Sequence, residues 1–142
     1  MFIDERLYKK IREVIPTACV DLIVINNNKF LLLKRSESPA KGEWWFPGGR
    51  IYKSETISET VERKGFEELN IQLAIKEVVS IEESIFTECN PIIHTINIVV
   101  STKVLSKNEI KLDNSSHEYR WFSKIDNRLH RCVKRPLEKL GF

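Results

Sequence analysis

The sequence predicts an α+β domain in which a mixed, mostly antiparallel sheet is layered against helices. Three observations carry that expectation. Apolar, β-branched runs recur at 17–25, 30–35, 75–86 and 92–105. Turn chemistry separates them. One charged, helix-forming segment follows the third extended piece. A chain of 142 residues is long enough for one domain, 1–142, with a real core.

Taken in order, residues 4–13 place Leu7 and Ile11 four apart, which predicts a short helix. The run TACVDLIVI (17–25) is a strand buried on both faces. NNNK (26–29) is turn chemistry, and FLLLKR (30–35) returns as a second strand, so 17–35 is a hairpin. Residues 36–43 form a loop, and WWFP is a short extended piece stopped by Pro47. Thr56 and Glu59 fit a capping box, so a helix starts near residue 57. Its stripe holds Ile57, Val61 and Leu69, and Asn70 tolerates the left-handed conformation that closes a helix. Two long strands, 75–86 and 92–105, meet at a turn in TECNP. The segment 105–116 is a polar loop, HEYRWF (117–122) a last strand, and one or two helices end the chain.

Composition excludes several classes. A net charge of +3, with acids and bases interspersed, is too mild for a nucleic-acid binder. No run approaches the ~20 apolar residues of a membrane span. The N-terminus carries acids and lacks an apolar core, so it is not a signal peptide. Three widely spaced cysteines match neither a disulfide framework nor a metal motif, which points to a reducing cytoplasm.

The stretch that asks for chemistry is Gly48-Gly49 ahead of Glu55, Arg63, Glu67 and Glu68. Glycine lets backbone approach a ligand closely. A following helix N-terminus favours phosphate. Mg²⁺ wants hard oxygen ligands and keeps several waters. Against this stands a plain solvated helix face with i,i+4 pairs such as Lys64 with Glu68. Eight helical residues span ~12 Å, so Glu55 meets Arg63 only if Glu55 sits in a loop folded over the helix. Asp21, inside an apolar strand, is costly to bury without a partner or a task.

The spacing of Gly49, Glu55, Arg63, Glu67-Glu68 and Ile71 resembles the Nudix box, G-x5-E-x7-R-E-U-x-E-E-x-G-U with U aliphatic. Lys64 stands where the box has its first helix glutamate, Gly65 where it has an aliphatic, and Asn70 where it has glycine. The stretch KRSESPAKGEWWFPGGRIYKSET is similar to GDP-mannose mannosyl hydrolases, a subgroup that also departs from the box after its arginine. This resemblance implies a Nudix fold, a sheet sandwiched between helices, with one Mg²⁺ (or Mn²⁺).

It further implies Gly48 (carbonyl) and Glu68 as metal ligands, with Glu67 as a supplement, and Gly49, Glu55 and Arg63 as the structural frame of the box. Arg35 and Arg50 would meet the diphosphate or the sugar, and Arg35 would stabilise the leaving group. Asp21 either pairs with an arginine or faces the site and contacts sugar hydroxyls. Phe2, Ile3 and Tyr8 match positions that help hold the nucleotide, and Tyr8 could stack on a purine. Ser115 and Ser116 fall where the subgroup has a metal-binding glutamine and a histidine. His117, one residue later, is the candidate general base; Asp113 and Glu118 are the other candidates for base or last ligand.

The expected reaction is Mg²⁺-dependent hydrolysis of a nucleoside diphosphate sugar at the anomeric carbon. The alternatives are a conventional Nudix pyrophosphatase, splitting the diphosphate of such a compound, and a nucleotide-binding regulatory domain. The resemblance also implies a homodimer, and no nucleic-acid or membrane partner is expected.

Overall fold

A computed structural model describes residues 1–106 and 108–142. The elements are α1 (Glu5–Val14), β1 (Thr17–Asn26), β2 (Lys29–Arg35), β3 (Trp44–Trp45), β4 (Gly48–Arg50), α2 (Ile57–Leu69), β5 (Leu73–Phe86), β6 (Ile93–Val104), β7 (Ser116–Phe122) and α3 (Arg131–Lys139). Asp4 caps α1 by accepting from the Arg6 and Leu7 amides at 3.1 and 3.2 Å.

The β1–β2 turn sets the shape of the molecule. Asn27 and Asn28 both take left-handed conformations (φ 51° and 59°), which a two-residue hairpin turn requires and asparagine tolerates. The two strands then pair only at Ile25 with Phe30 and Asn26 with Lys29. Beyond that tip they part. β1 pairs with β4 and β6, while β2 pairs with β3 and β7. A cleft opens between the separated ends.

The sheet is mixed, and one feature differs from the sequence expectation. β1 and β6 run parallel, Thr17 opposite Thr95 through Val24 opposite Thr102, because α2 and β5 form the crossover between them. Gly48–Arg50, expected to lie beyond an extended piece stopped by Pro47, is a strand paired with β1. β5 and β6 make the long expected hairpin.

Alternation along β1 and β2 builds a core on each side. Val20, Leu22, Val24, Leu31 and Leu33 pack with Val61 and Leu69 of α2. Ile23, Phe30 and Leu32 pack with Val133 and Leu137 of α3. The segment 105–115, expected as a polar loop, is anchored where it is described: Ile110 and Leu112 pack against the α2-side core, and the Lys111 amide bonds to Leu69 O at 3.1 Å. Lys107, within that expected loop, lies outside the described residues. One helix, α3, ends the chain; the His130 ring accepts from the Cys132 amide at its start. Cys132 is buried, Cys19 and Cys89 are half-buried, and all three are free thiols. Among the described residues, no helix is long and apolar enough to cross a membrane.

Candidate active site

The helix that carries the acids is fixed at both ends by its own sequence. The Thr56 hydroxyl accepts from the Glu59 amide at 3.1 Å, and Glu59 accepts from the Thr56 amide at 2.7 Å. Asn70 closes the helix at φ 58°, where asparagine is the usual substitute for glycine. Gly65 is explained by packing: a Cβ there would fall 2.9 Å from Leu73 side-chain atoms.

Glu55 does lie in the loop before the helix, folded back over it. Its carboxylate accepts from Arg63 Nε (2.7 Å), Arg63 Nη2 (2.9 Å), Thr60 Oγ1 (2.7 Å) and the Tyr52 amide (3.1 Å). The Arg63 fork holds this carboxyl down at about 2, helped by Thr60 and Tyr52. Arg63 also donates to Arg50 O at 2.9 Å and lies 3.7 Å from the centre of the Tyr52 ring. Loop, helix and β4 are thus tied through one guanidinium.

Gly48 is glycine for a steric reason. A Cβ would fall 2.2 Å from Val20 O, inside any allowed contact. The bonds Leu22 N–Pro47 O and Ile51 N–Ala18 O flank β4. By the alternation of an antiparallel ladder, Gly48 is a position whose polar groups turn away from β1. Its amide accordingly donates to Glu68 Oε2 at 2.7 Å. Glu68 is buried, and desolvation raises its pKa against the opposing charge of Lys64. The Ser115 hydroxyl reaches Glu68 Oε1 at 3.3 Å and Asp113 Oδ1 at 2.5 Å.

Among the described residues, no group of three or more His, Cys, Asp or Glu side chains forms a metal cage. The corner instead gathers hard oxygens: the Glu68 carboxylate, the Ser115 hydroxyl and the Asp113 carboxylate behind it. That donor set fits Mg²⁺, which keeps waters and takes further oxygens from substrate phosphates.

A cavity of about 300 Å³ opens beside the corner, lined among others by Tyr8, Asp21, Arg35, Gly48, Arg50 and Glu68. Asp21 is buried at its floor. Its Oδ2 accepts from Asn97 Nδ2 at 2.9 Å and Trp45 Nε1 at 3.4 Å. A Cβ on Gly48 would sit 3.0 Å from its Oδ1, so that oxygen lies close against the glycine. Burial pushes the Asp21 carboxyl up to about 7, against the pull of Asn97 and Trp45. Arg35 comes from the end of β2; its Nε donates to Pro39 O at 2.7 Å, which aims the guanidinium along the cavity wall.

Other expected site residues are placed differently. Glu67 is turned away along the helix, to Arg63 Nη1 (3.2 Å) and Lys64 Nζ (3.4 Å). Tyr8 lines the cavity, but its ring already lies 4.7 Å from the Arg12 guanidinium and 5.3 Å from that of Arg50. Arg50 donates to Met1 O at 3.1 Å. Phe2 is exposed and Ile3 half-buried, and neither lines the cavity. His117 is not brought to the cavity either. Successive strand residues point to opposite faces: Ser116 is buried inward, and His117 turns outward to the Ser36 hydroxyl at 3.1 Å. Glu118 lies by Lys34 at 3.8 Å.

Sequence reasoning missed Arg12, Thr95 and Asn97, all of which line the cavity. Thr95 and Asn97 are polar residues two apart inside an apolar strand, the same signal that singled out Asp21. Arg12 follows Tyr8 by one helical turn.

The model of the NUDIX domain matches residues 16–138, nearly the whole chain. The chain belongs to the Nudix family. An ADP-ribose pyrophosphatase of Methanocaldococcus jannaschii is 33% identical over 121 residues, covering 84% of this chain and 70% of the relative. The low-salt glycan biosynthesis protein Agl8 of Haloferax volcanii is 27% identical over 129 residues, covering 89% and 83%. The crystal structure of a MutT NUDIX hydrolase from Burkholderia pseudomallei superposes with a TM-score of 0.74 at 23% identity, over 89% of this chain and 98% of that one, a likeness of fold. The Nudix box of this chain is the loop and helix 48–71 described above.

Proposed function

We propose that this Nudix protein is a Mg²⁺-dependent hydrolase of a nucleoside diphosphate sugar that cleaves at the anomeric carbon, releasing nucleoside diphosphate and free sugar. The observation that carries this reading is the mixed lining of the cavity. Gly48, Glu68 and Arg35 are suited to a diphosphate. Buried Asp21 and Asn97, with half-buried Thr95, are suited to the hydroxyls of a sugar.

Glu68, the Gly48 carbonyl and Ser115 would hold the ion, which when bound neutralises charge on the departing diphosphate. Arg35 forks onto diphosphate oxygens and stabilises the same charge as it develops. Arg50 and Arg12, spaced by the Tyr8 ring, supply further positive charge at the cavity wall. Asn97 holds Asp21 by Oδ2, leaving Oδ1 toward the substrate, where it accepts a proton from the attacking water. A carboxyl near 7 is matched to that task at neutral pH.

A second reading, cleavage within the diphosphate, is favoured by the 33% identity to an ADP-ribose pyrophosphatase. Incubation with Mg²⁺ and GDP-mannose in oxygen-18-labelled water separates the two. Free mannose carrying the label, with unlabelled GDP, supports glycosyl cleavage. Mannose 1-phosphate and GMP, one of them labelled, replaces it with the second reading. No turnover over a panel of nucleoside diphosphate sugars and ADP-ribose would overturn both.

A further inference from the structure

Lys64 stands where the box has its first helix glutamate, and it does not behave as a solvated helix lysine. Its side chain is only 14% exposed. Its ammonium lies 3.6 Å from Glu68 Oε1 and 3.4 Å from Glu67 Oε2. The tail lies against β4: a Cβ on Gly49 would fall 2.9 Å from Lys64 Cε and 3.2 Å from Nζ. Gly49 is therefore the slot in which the lysine rests. Lys64 is also the largest charge acting on buried Glu68, opposing the desolvation of that carboxylate.

A fixed positive charge against a buried metal-site carboxylate does electrostatically what a bound ion would do. We propose that Lys64 is a tethered counter-ion within the cation site: its ammonium holds one cation position, so that each chain takes a single divalent ion. This rests on the reading of Glu68 as a metal ligand. Lys64 contributes in two ways. It supplies charge where a further ion would sit, and with Arg63 it keeps Glu67 Oε2 out of the ligand set. A like charge a few ångströms away also weakens binding of the one ion that enters.

Mn²⁺ binding without nucleotide, counted by electron paramagnetic resonance and calorimetry, tests this. The parent binds one Mn²⁺ per chain. Lys64→Met, which keeps the length of the tail, tightens that ion by about tenfold at unchanged stoichiometry. Lys64→Glu restores the missing carboxylate and takes a second ion. Parent stoichiometry of two, or a Kd unchanged in Lys64→Met, overturns the proposal; should Lys64→Glu not fold, Lys64→Met decides alone. Glu68→Gln is the control on the underlying reading. If it leaves Mn²⁺ binding intact, Glu68 is not a ligand, whatever the lysine variants do.

Discussion

Replacing Glu55 by Gln removes one negative charge from the knot that ties loop, helix and β4. The Gln carbonyl still accepts from Tyr52 and Thr60, but one oxygen cannot receive both prongs of Arg63. The pair is neither exposed nor dry, with side chains 13% and 19% accessible. Breaking a fully buried pair costs about 3–5 kcal/mol, and an exposed pair is worth about 0–1. Two charge-assisted bonds at 2.7 and 2.9 Å place the loss between these, at about 2–3 kcal/mol. For a domain of this size that lowers Tm by roughly 6–10 °C.

The pH dependence is specific. Glu55 titrates at about 2 when folded and near 4.5 when unfolded, so its stabilisation is full above 4.5 and fades as pH falls toward 2. Urea unfolding of parent and variant at about pH 7 and about pH 3 measures both terms. The gap should narrow on acidification. A loss under about 0.5 kcal/mol at neutral pH, or a gap that does not change with pH, would refute the argument that Arg63 and Glu55 hold the box together.

Three further outcomes are expected. Gly48→Ala drives a methyl into Val20 O, so β4 shifts and unfolding in urea should show a loss of about 2–4 kcal/mol together with loss of Mg²⁺-dependent turnover. Asp21→Asn removes a carboxyl that burial raises from 3.8 to about 7; the cost of ionising it grows as pH rises through that window. The variant should therefore be at least about 1 kcal/mol more stable than the parent near pH 8 and equal to it near pH 4 by thermal unfolding, while turnover falls by about 100-fold. His117→Ala, with its ring on the outer face of β7, should keep turnover within about threefold; a loss of about 100-fold would return the base role to His117.

What could be read from the sequence was what spacing alone determines. Thr56 and Glu59 announced the start of α2 and Asn70 its end, because a cap is a local contract between neighbours. The Glu55–Arg63 pair was legible as a condition, that the glutamate lie outside the helix, and it does. Non-local facts were not legible. The parallel pairing of β1 with β6 depends on the whole crossover, and with it the meeting of Asp21 and Asn97. β4 was hidden because Gly-Gly carries no strand propensity; only the close approach to Val20 explains the first glycine. Lys64 appeared in the sequence as a missing acid, and only its resting place against Gly49 and Glu68 shows the amine to be an occupant of the corner.

The parallel register of the central strand also dictates an order of assembly. Thr17–Val24 is synthesised early, yet its neighbour on one side, Thr95–Thr102, leaves the ribosome only after the box is complete. The floor beneath Asp21 therefore closes late, through contacts of high sequence separation, which are the slow ones. A nascent chain halted before residue 95 already contains every acid of the box, but it has no wall to set them against.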